Sequence, residues 1–470
     1  MAVPTDIDDG ERKRQPVAVA VVGAGFSGIM VAVHLARLLP AEQRLLLCER
    51  GRFARGIAYS TPNARHLLNV RASNMSAFPA QPLHFQDWLR GIADTCPEQV
   101  VETDAGIFAS RGLYGRYLAD LLDRTLAGSD PNRLELAADE VVDIEPAEDG
   151  HRLIFANGEQ RVARAVVLAA GNVATAQSGN DAYRPDPWAP DVTEGLRDDS
   201  PVVIIGTGLT MVDLALQMRH SGFAGPVIAI SRRGLLPHRH AISPRWPTPT
   251  FSDEQRGSLL SLLRTVQREV RVAQDHGIDW RGVVDSLRPV TANLWQGLSW
   301  EDRARFLRHL RPIWDTHRHR VSEPVGREVD SLRGQGFLTV RRGRITDMAF
   351  GPDGATVTYR TRGSAQEGRI TAQRVINATG VANLASAEST LVRTLLDRGT
   401  VRPDPLGIGL DVTRSLQVVD CEGHAVANLW ALGPLVRGVF WECVAVPDIR
   451  LQAQRVADEV VAATADAAVT

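Results

Sequence analysis

A valine-rich run breaks into Gly-x-Gly-x-x-Gly near the start of the chain, and a near copy follows at 201–213. A tryptophan- and arginine-rich stretch of helical periodicity lies downstream of that copy. Together these predict an α/β fold of two Rossmann-like dinucleotide-binding domains with a helical insertion. A single hydrophobic core stops growing at about 250–300 residues, so the 470 residues here call for more than one domain. The expected spans are 1–190 for the first domain and 191–370 for the second, which carries an insertion at about 236–333. Residues 371–470 return to the first domain.

The first unit runs Val17 to Val22, then Gly23-Ala24-Gly25-Phe26-Ser27-Gly28, then the small and apolar Ile29 to Ala36. Gly23 permits the turn, Gly25 lets backbone approach a pyrophosphate, and Gly28 lets the helix pack on its strand. Free N–H groups at the helix start hold the phosphates. A second strand, Arg44 to Glu49, ends on an acid about 20 residues past Gly28, where an acid takes ribose hydroxyls.

The stretch after Glu49, through Gly56-Ile57-Ala58-Tyr59-Ser60 and His66 to Ser76, is dense in small polar residues and reads as loop. A long irregular loop at this place usually has a function. Apolar spacing from Leu113 to Leu122 predicts an amphipathic helix over 111–128. Short strands then follow around 134–136, 141–144 and 152–155, and an apolar strand from Ala165 closes on Gly171. Pro185, Pro187 and Pro190 punctuate a linker.

The programme then repeats. Val202 to Ile205 leads into Gly206-Thr207-Gly208-Leu209-Thr210-Met211, Val227 to Ile230 is its second strand, and Arg374 to Gly380 is the counterpart of the strand ending at Gly171. Two such folds are most simply explained by two dinucleotides. In the second unit Met211 stands where the third glycine was, and Ser231-Arg232-Arg233 stands where the acid was. Arginine there takes a 2′-phosphate, so NADP is favoured over NAD. Within the insertion, Ser252-x-x-Gln255 and Ser299-x-x-Asp302 are expected helix starts. Its Trp280, Trp295, Trp300, Trp314 and several arginines, among them Arg311, suit either a packing element or a cover over a substrate. The last strand, near 428–432, turns through Gly433 into a helix from about Pro447 to Ala462.

At this point the chain resembles the two-dinucleotide-binding-domain flavoproteins. More narrowly, it resembles an FAD/NAD(P)-binding family related to class B flavin monooxygenases and amino-acid N-hydroxylases. The matching stretches are Gly23–Gly28, Gly56–Ser60, His66–Val70, Gly206–Asp213 and Arg437-Gly438-Val439-Phe440-Trp441-Glu442. The resemblance implies FAD in the first site, at Gly23, Gly25, Phe26, Ser27, Gly28, Glu49, Arg50, Val142, Gly171 and Gly433. It implies NADP in the second, at Gly206, Gly208, Leu209, Thr210, Ser231, Arg232, Arg233 and Gly380. Asn69, Ser73 and Trp441 are the candidate catalytic residues facing the flavin, and Arg437 and Glu442 are candidates for a charged substrate.

Other chemistries are less well served. Cys48, Cys96, Cys421 and Cys443 show neither a Cys-x-x-Cys nor metal-like spacing, which suits reduced structural thiols and no metal site. Lys13 is the only lysine, so Schiff-base chemistry would have to come from a polar N-terminal segment. A net charge of −2 gives no electrostatic case for nucleic acid or an anionic membrane. Without an apolar run of about 18 residues, a cytoplasmic protein is expected. The partner expected is a small-molecule substrate, and a homo-oligomer stays open. The leading activity is an NADPH-dependent FAD monooxygenase that N-hydroxylates a small amine or amino acid. A flavin dehydrogenase or reductase is the alternative, and a non-catalytic nucleotide sensor is the third reading.

Overall fold

The computed structural model describes residues 15–61, 63–130, 133–172, 180–189, 191–352, 354–380, 384 and 388–466. Lys13 and Pro190 lie outside them. The strands in chain order are β1 (Val17–Val22), β2 (Leu45–Cys48), β3 (Val100–Thr103), β4 (Gly106–Ala109), β5 (Leu134–Ala137), β6 (Val141–Ala147), β7 (Gly150–Phe155) and β8 (Gln160–Leu168). Then come β9 (Tyr183–Arg184), β10 (Val202–Ile205), β11 (Val227–Ser231), β12 (Leu338–Gly351), β13 (Gly354–Thr361), β14 (Glu367–Ala372), β15 (Arg374–Asn377), β16 (Gln417–Val419) and β17 (Ala425–Ala431).

The first sheet has the order β16-β17-β8-β1-β2-β5, with the β6–β7 hairpin joined to β8 through β7. Every residue of β1 is buried, as a strand covered on both faces requires, and the continuous valine run supplies this. β1 lies parallel between β2 and β8, Val22 standing opposite Cys48 on one side and Leu168 on the other. β17 pairs parallel with β8, so residues from the end of the chain extend a sheet begun at its start. The helix Val446–Asp466 packs on the helix Phe26–Leu38 in the same core.

The second sheet runs β14-β13-β12-β11-β10-β15-β9, with β10 parallel between β11 and β15. It begins earlier and ends later than the expected 191–370 span, taking in Tyr183–Arg184 and Arg374–Asn377. β12 runs unbroken from Leu338 to Gly351.

Parallel neighbours need a crossover, and β11 and β12 are parallel neighbours. The helix Glu323–Gly334 supplies it, since its Val329 and Leu332 share a core with Met211 and Leu214. That part of the expected insertion is therefore required by the fold. The remainder carries a small core of its own, built on Phe251, Leu262, Leu287 and Leu298. Ser252 and Gln255 form the expected capping box, and Ser299 accepts from the Asp302 N–H. Among the described residues, no helix is long and apolar enough to cross a membrane.

Candidate functional site

The two glycine turns share one construction. Gly23 adopts φ +100, and a Cβ there would stand 2.6 Å from the Ala169 carbonyl oxygen at the end of β8. Gly206 adopts φ +114, and its Cβ would stand 2.5 Å from the Ala378 oxygen just past β15. Each turn is thus pressed against the neighbouring strand's end, where only glycine fits. Gly25 and Gly208 N-cap the helices Phe26–Leu38 and Leu209–His220 with no side-chain hydrogen bond. By contrast, Ser110, Ser258, Asp279, Ser299 and Ser389 cap their helices through side-chain oxygens. First-turn N–H groups left without such a partner fit a ligand phosphate. Leu209 and Thr210 begin the second of these helices.

Around the first turn, Glu49 is anchored facing the glycines. Its Oε2 accepts from the Ala24 N–H at 2.8 Å and its Oε1 from the Gly51 N–H at 2.9 Å. Arg50 is exposed and donates to Glu140 at 3.2 Å, which draws the start of β6, with Val142 at a register shift, beside the end of β2. Gly433 returns from β17 at φ +70, and a Cβ there would meet the Ser27 Oγ at 2.7 Å. Phe26 and Ser27 are both buried, Phe26 with its ring beside that of Tyr114. Gly171 and Gly380 both take positive φ at the two strand ends, and a Cβ on Gly171 would meet nothing within 4 Å. The structure therefore brings Gly23, Gly25, Ser27, Gly28, Glu49 and Gly433 into one cradle that fits a dinucleotide such as FAD.

The second turn differs in two places. Met211, at the position of the third glycine, is fully buried and packs in the second domain's core. Ser231 faces the turn, its Oγ lying 2.9 Å from the Thr207 Oγ1. Arg232 is exposed, whereas Arg233 donates to the His309 carbonyl at 2.5 Å. Both arginines line a cavity of about 620 Å³, and they follow a strand of the second sheet, whereas Glu49 follows one of the first.

Between the domains, the 66–76 loop is a junction. Arg111 donates from its N–H to the His66 carbonyl and from its Nη2 to Asp213 at 2.7 Å, with side chains only 12% and 10% exposed. Burial pushes the Asp213 carboxyl up, against the pull of Arg111. His240 meets the Asn69 carbonyl at 2.8 Å through Nε2, and Arg71 donates to the Ala241 carbonyl. Arg450 reaches the Ser76 carbonyl at 2.8 Å from the C-terminal helix. The side chains of Asn69 and Ser73 hydrogen-bond no described residue, which leaves both groups available to a ligand. Arg111 and Asp213 were missed as a pair by sequence reasoning. The available signal was a lone acid in the first half of the helix Leu209–His220, where only Thr210 is otherwise polar.

The insertion meets the first domain at the 437–448 segment. Trp441 stacks on Trp295 with ring centres 4.9 Å apart, and the Trp295 indole donates to the Gly438 carbonyl at 2.9 Å. Trp295 is 3% exposed, so it packs the interface and is not an open wall. Arg437 donates to the Asn172 Oδ1 at 2.6 Å, and burial pushes its guanidinium down to about 10. Glu442 sits at φ +70, a conformation costing a non-glycine residue about 1–2 kcal/mol. It accepts from the Trp314 indole at 2.6 Å and lies 3.4 Å from His319 and 3.6 Å from Arg318. Burial alone would raise its carboxyl. The charges of His319 and Arg318 and the bonds from His319 and Trp314 outweigh that and hold it at about 2. The insertion thus engages Glu442 through Oε1, while its buried Oε2 has no hydrogen-bond partner among the described residues. Arg311, bonded to Asp315 at 3.2 Å, comes within about 3.5 Å of where a Gly380 Cβ would be.

Comparison with known proteins agrees with this geometry. Residues 20–173 match a protein family described as FAD-NAD(P)-binding. An uncharacterised protein of Mycobacterium tuberculosis is 21% identical over 282 residues, 56% of this chain and 51% of that protein. The chain thus spans about half the length of the curated relatives it matches. The reduced form of an ornithine hydroxylase from Pseudomonas aeruginosa superposes with a TM-score of 0.62 at 15% identity, covering 96% of this chain and 100% of that one. An FAD-bound cadaverine monooxygenase from Erwinia amylovora gives 0.62 at 11%, covering 95% of each. The chain therefore has the two-dinucleotide flavoprotein fold found in amine and amino-acid N-hydroxylases.

Proposed function

We propose that the protein is an NADPH-dependent FAD monooxygenase that N-hydroxylates a small primary amine or amino acid. The observation that carries this reading is the pair of uncapped, glycine-turned helices, one beside an acid and one beside two arginines. FAD, when bound, supplies two-electron storage and reaction with oxygen. The chain's own residues bind and orient. The N–H groups past Gly25 hold a diphosphate, Glu49 takes ribose hydroxyls, and Arg232 with Arg233 takes the 2′-phosphate of the coenzyme. Asn69, Ser73 and Trp441 stand on the two segments facing the flavin. The Trp295–Trp441 stack and the buried Glu442 network exclude water where the insertion meets the 437–442 turn. The four cysteines are free and lie on separate elements, which supports electron delivery to oxygen over a dithiol route. The ornithine and cadaverine hydroxylases named above motivate the amine class of substrate. We place the enzyme in the cytoplasm, where those thiols stay reduced.

The test is cofactor identity followed by anaerobic reduction. Denatured protein should release FAD, and NADPH should bleach the bound flavin without oxygen. Release of FMN alone, or no reduction by either nicotinamide coenzyme, contradicts the proposal.

A further inference from the structure

The cavity beside Arg232 and Arg233 holds more positive charge than one coenzyme phosphate needs. Six arginines line it: Arg232 and Arg233 from the end of β11, Arg308 from the insertion, and Arg344, Arg360 and Arg362 from the β12–β13 meander. Among the described residues, the only carboxylate within 4.0 Å of any of them is Glu367, which is 3.7 Å from Arg360. The chain as a whole has a net charge of −2, so this concentration is local and not an effect of composition. A 2′-phosphate brings a charge of about −1.5 to −2 at neutral pH. With Arg360 offset by Glu367, that leaves about three guanidinium groups unmatched, mutually repelling charges that a second anion would offset.

Two local irregularities shape the outer wall. The β12–β13 register slips between Ile345 and Asp347, so Thr346 occupies a bulge, a device that re-aims side chains beside sites. Opposite, Phe306–Leu310 is a π-helical turn carrying Arg308, and its His309 carbonyl fixes Arg233 toward the inner wall. Gly363 at φ +82 leaves the meander's tip open, with nothing within 4 Å of a Cβ. A volume of about 620 Å³ suits a small molecule, and it is no groove tracking a polymer's many phosphates.

From this geometry we infer a second anion subsite formed by Arg308, Arg344 and Arg362, which takes a small ligand carrying two or more phosphate groups while the coenzyme is bound. This rests on the coenzyme reading only in giving Arg232 and Arg233 to the 2′-phosphate. Bidentate guanidinium–phosphate pairs supply the recognition.

The test uses full-length, FAD-loaded protein saturated with NADP, titrated calorimetrically with inorganic tripolyphosphate and, separately, with ATP. Tripolyphosphate should bind the NADP-saturated protein, and the double variant R344A/R362A should weaken it by about tenfold or more. The same variant should keep the NADPH KM within about twofold, whereas Arg232→Ala should raise that KM and leave tripolyphosphate binding in place. ATP binding equally well would mark a nucleotide-borne ligand, and tripolyphosphate alone a free polyphosphate; either supports the subsite. Strict displacement of tripolyphosphate by NADP, or binding indifferent to R344A/R362A, overturns it. An Arg232→Ala variant with unchanged NADPH use, alongside lost tripolyphosphate binding in R344A/R362A, would instead reject the coenzyme reading and keep the subsite.

Discussion

The two glycine turns press against their neighbouring strands in the same way, at Ala169 and at Ala378, yet they part at the third position. In the first turn a Cβ on Gly28 would overlap the Gly23 carbonyl, so the helix lies as close to its strand as backbone allows. In the second, Met211 stands at that position and its side chain is part of the core. The acid differs too, since Glu49 is tied to the Ala24 N–H of the turn, whereas Arg232 and Arg233 open onto a basic cavity. One motif can thus serve two ligands. On the proposed reading, the shared contact fixes the phosphate turn, and the third position with the strand-end residue sets how tightly, and with which ribose, a nucleotide is held.

The sharpest way to break this comparison is Gly28→Ala. Its added methyl meets backbone that cannot yield, at about 3 kcal/mol, the upper end of overpacking, and flavin retention should be lost. A variant that keeps its FAD at wild-type melting temperature would show that the close packing is not needed. Met211→Ala is the converse. Deleting a fully buried side chain should cost about 2–5 kcal/mol in denaturant unfolding and raise the NADPH KM while sparing FAD content. A neutral result would make the two turns interchangeable.

Coenzyme choice sharpens the same contrast on a smaller scale. Replacing Arg232 and Arg233 together by Ala should lower NADPH kcat/KM about ten- to a hundredfold, or ~1.5–3 kcal/mol, while NADH use changes little. Equal use of both coenzymes by the unaltered protein would refute the assignment.

The smallest effect is a pH dependence at the junction. Burial drops the His240 imidazole from 6.5 to about 4, with Asn69 opposing and Arg320 and Arg71 adding to the fall. Its folded value lies below the unfolded one, so its neutral form supports the fold above pH 6.5. That support is lost as pH falls from 6.5 to about 4. His66, also lowered to about 4, adds in the same window. His240→Gln keeps a donor to Asn69 without titrating, so chemical-denaturation stability should decline less steeply across that window. An unchanged slope would remove His240 from the account.

Much of the architecture was legible because it lies in local pattern. The valine run of β1, the glycines at 23, 25, 28, 206 and 208, and the Ser252 and Ser299 caps each declare themselves within a few residues. What was hidden depends on chain segments far apart in sequence. Nothing near Asp213 announces Arg111, 102 residues earlier, and nothing near Glu442 announces Trp314, 128 residues away. The tryptophans of the insertion read as core more readily than as a substrate wall. Only the Trp295 bond to Gly438 shows that this one closes the interface. Likewise, the role of Glu323–Gly334 as crossover follows from β11 and β12 being parallel neighbours, which no local pattern reveals.

N-hydroxylation is decided by stoichiometry with FAD-loaded protein and a panel of ornithine, lysine and cadaverine. NADPH oxidised, oxygen consumed and hydroxylamine formed are measured together. The account predicts that one amine accelerates turnover and that the three quantities become equimolar, one oxygen atom leaving as water. NADPH oxidation that continues without oxygen on a dye acceptor, with no hydroxylated product from any primary amine, would contradict it and favour the reductase.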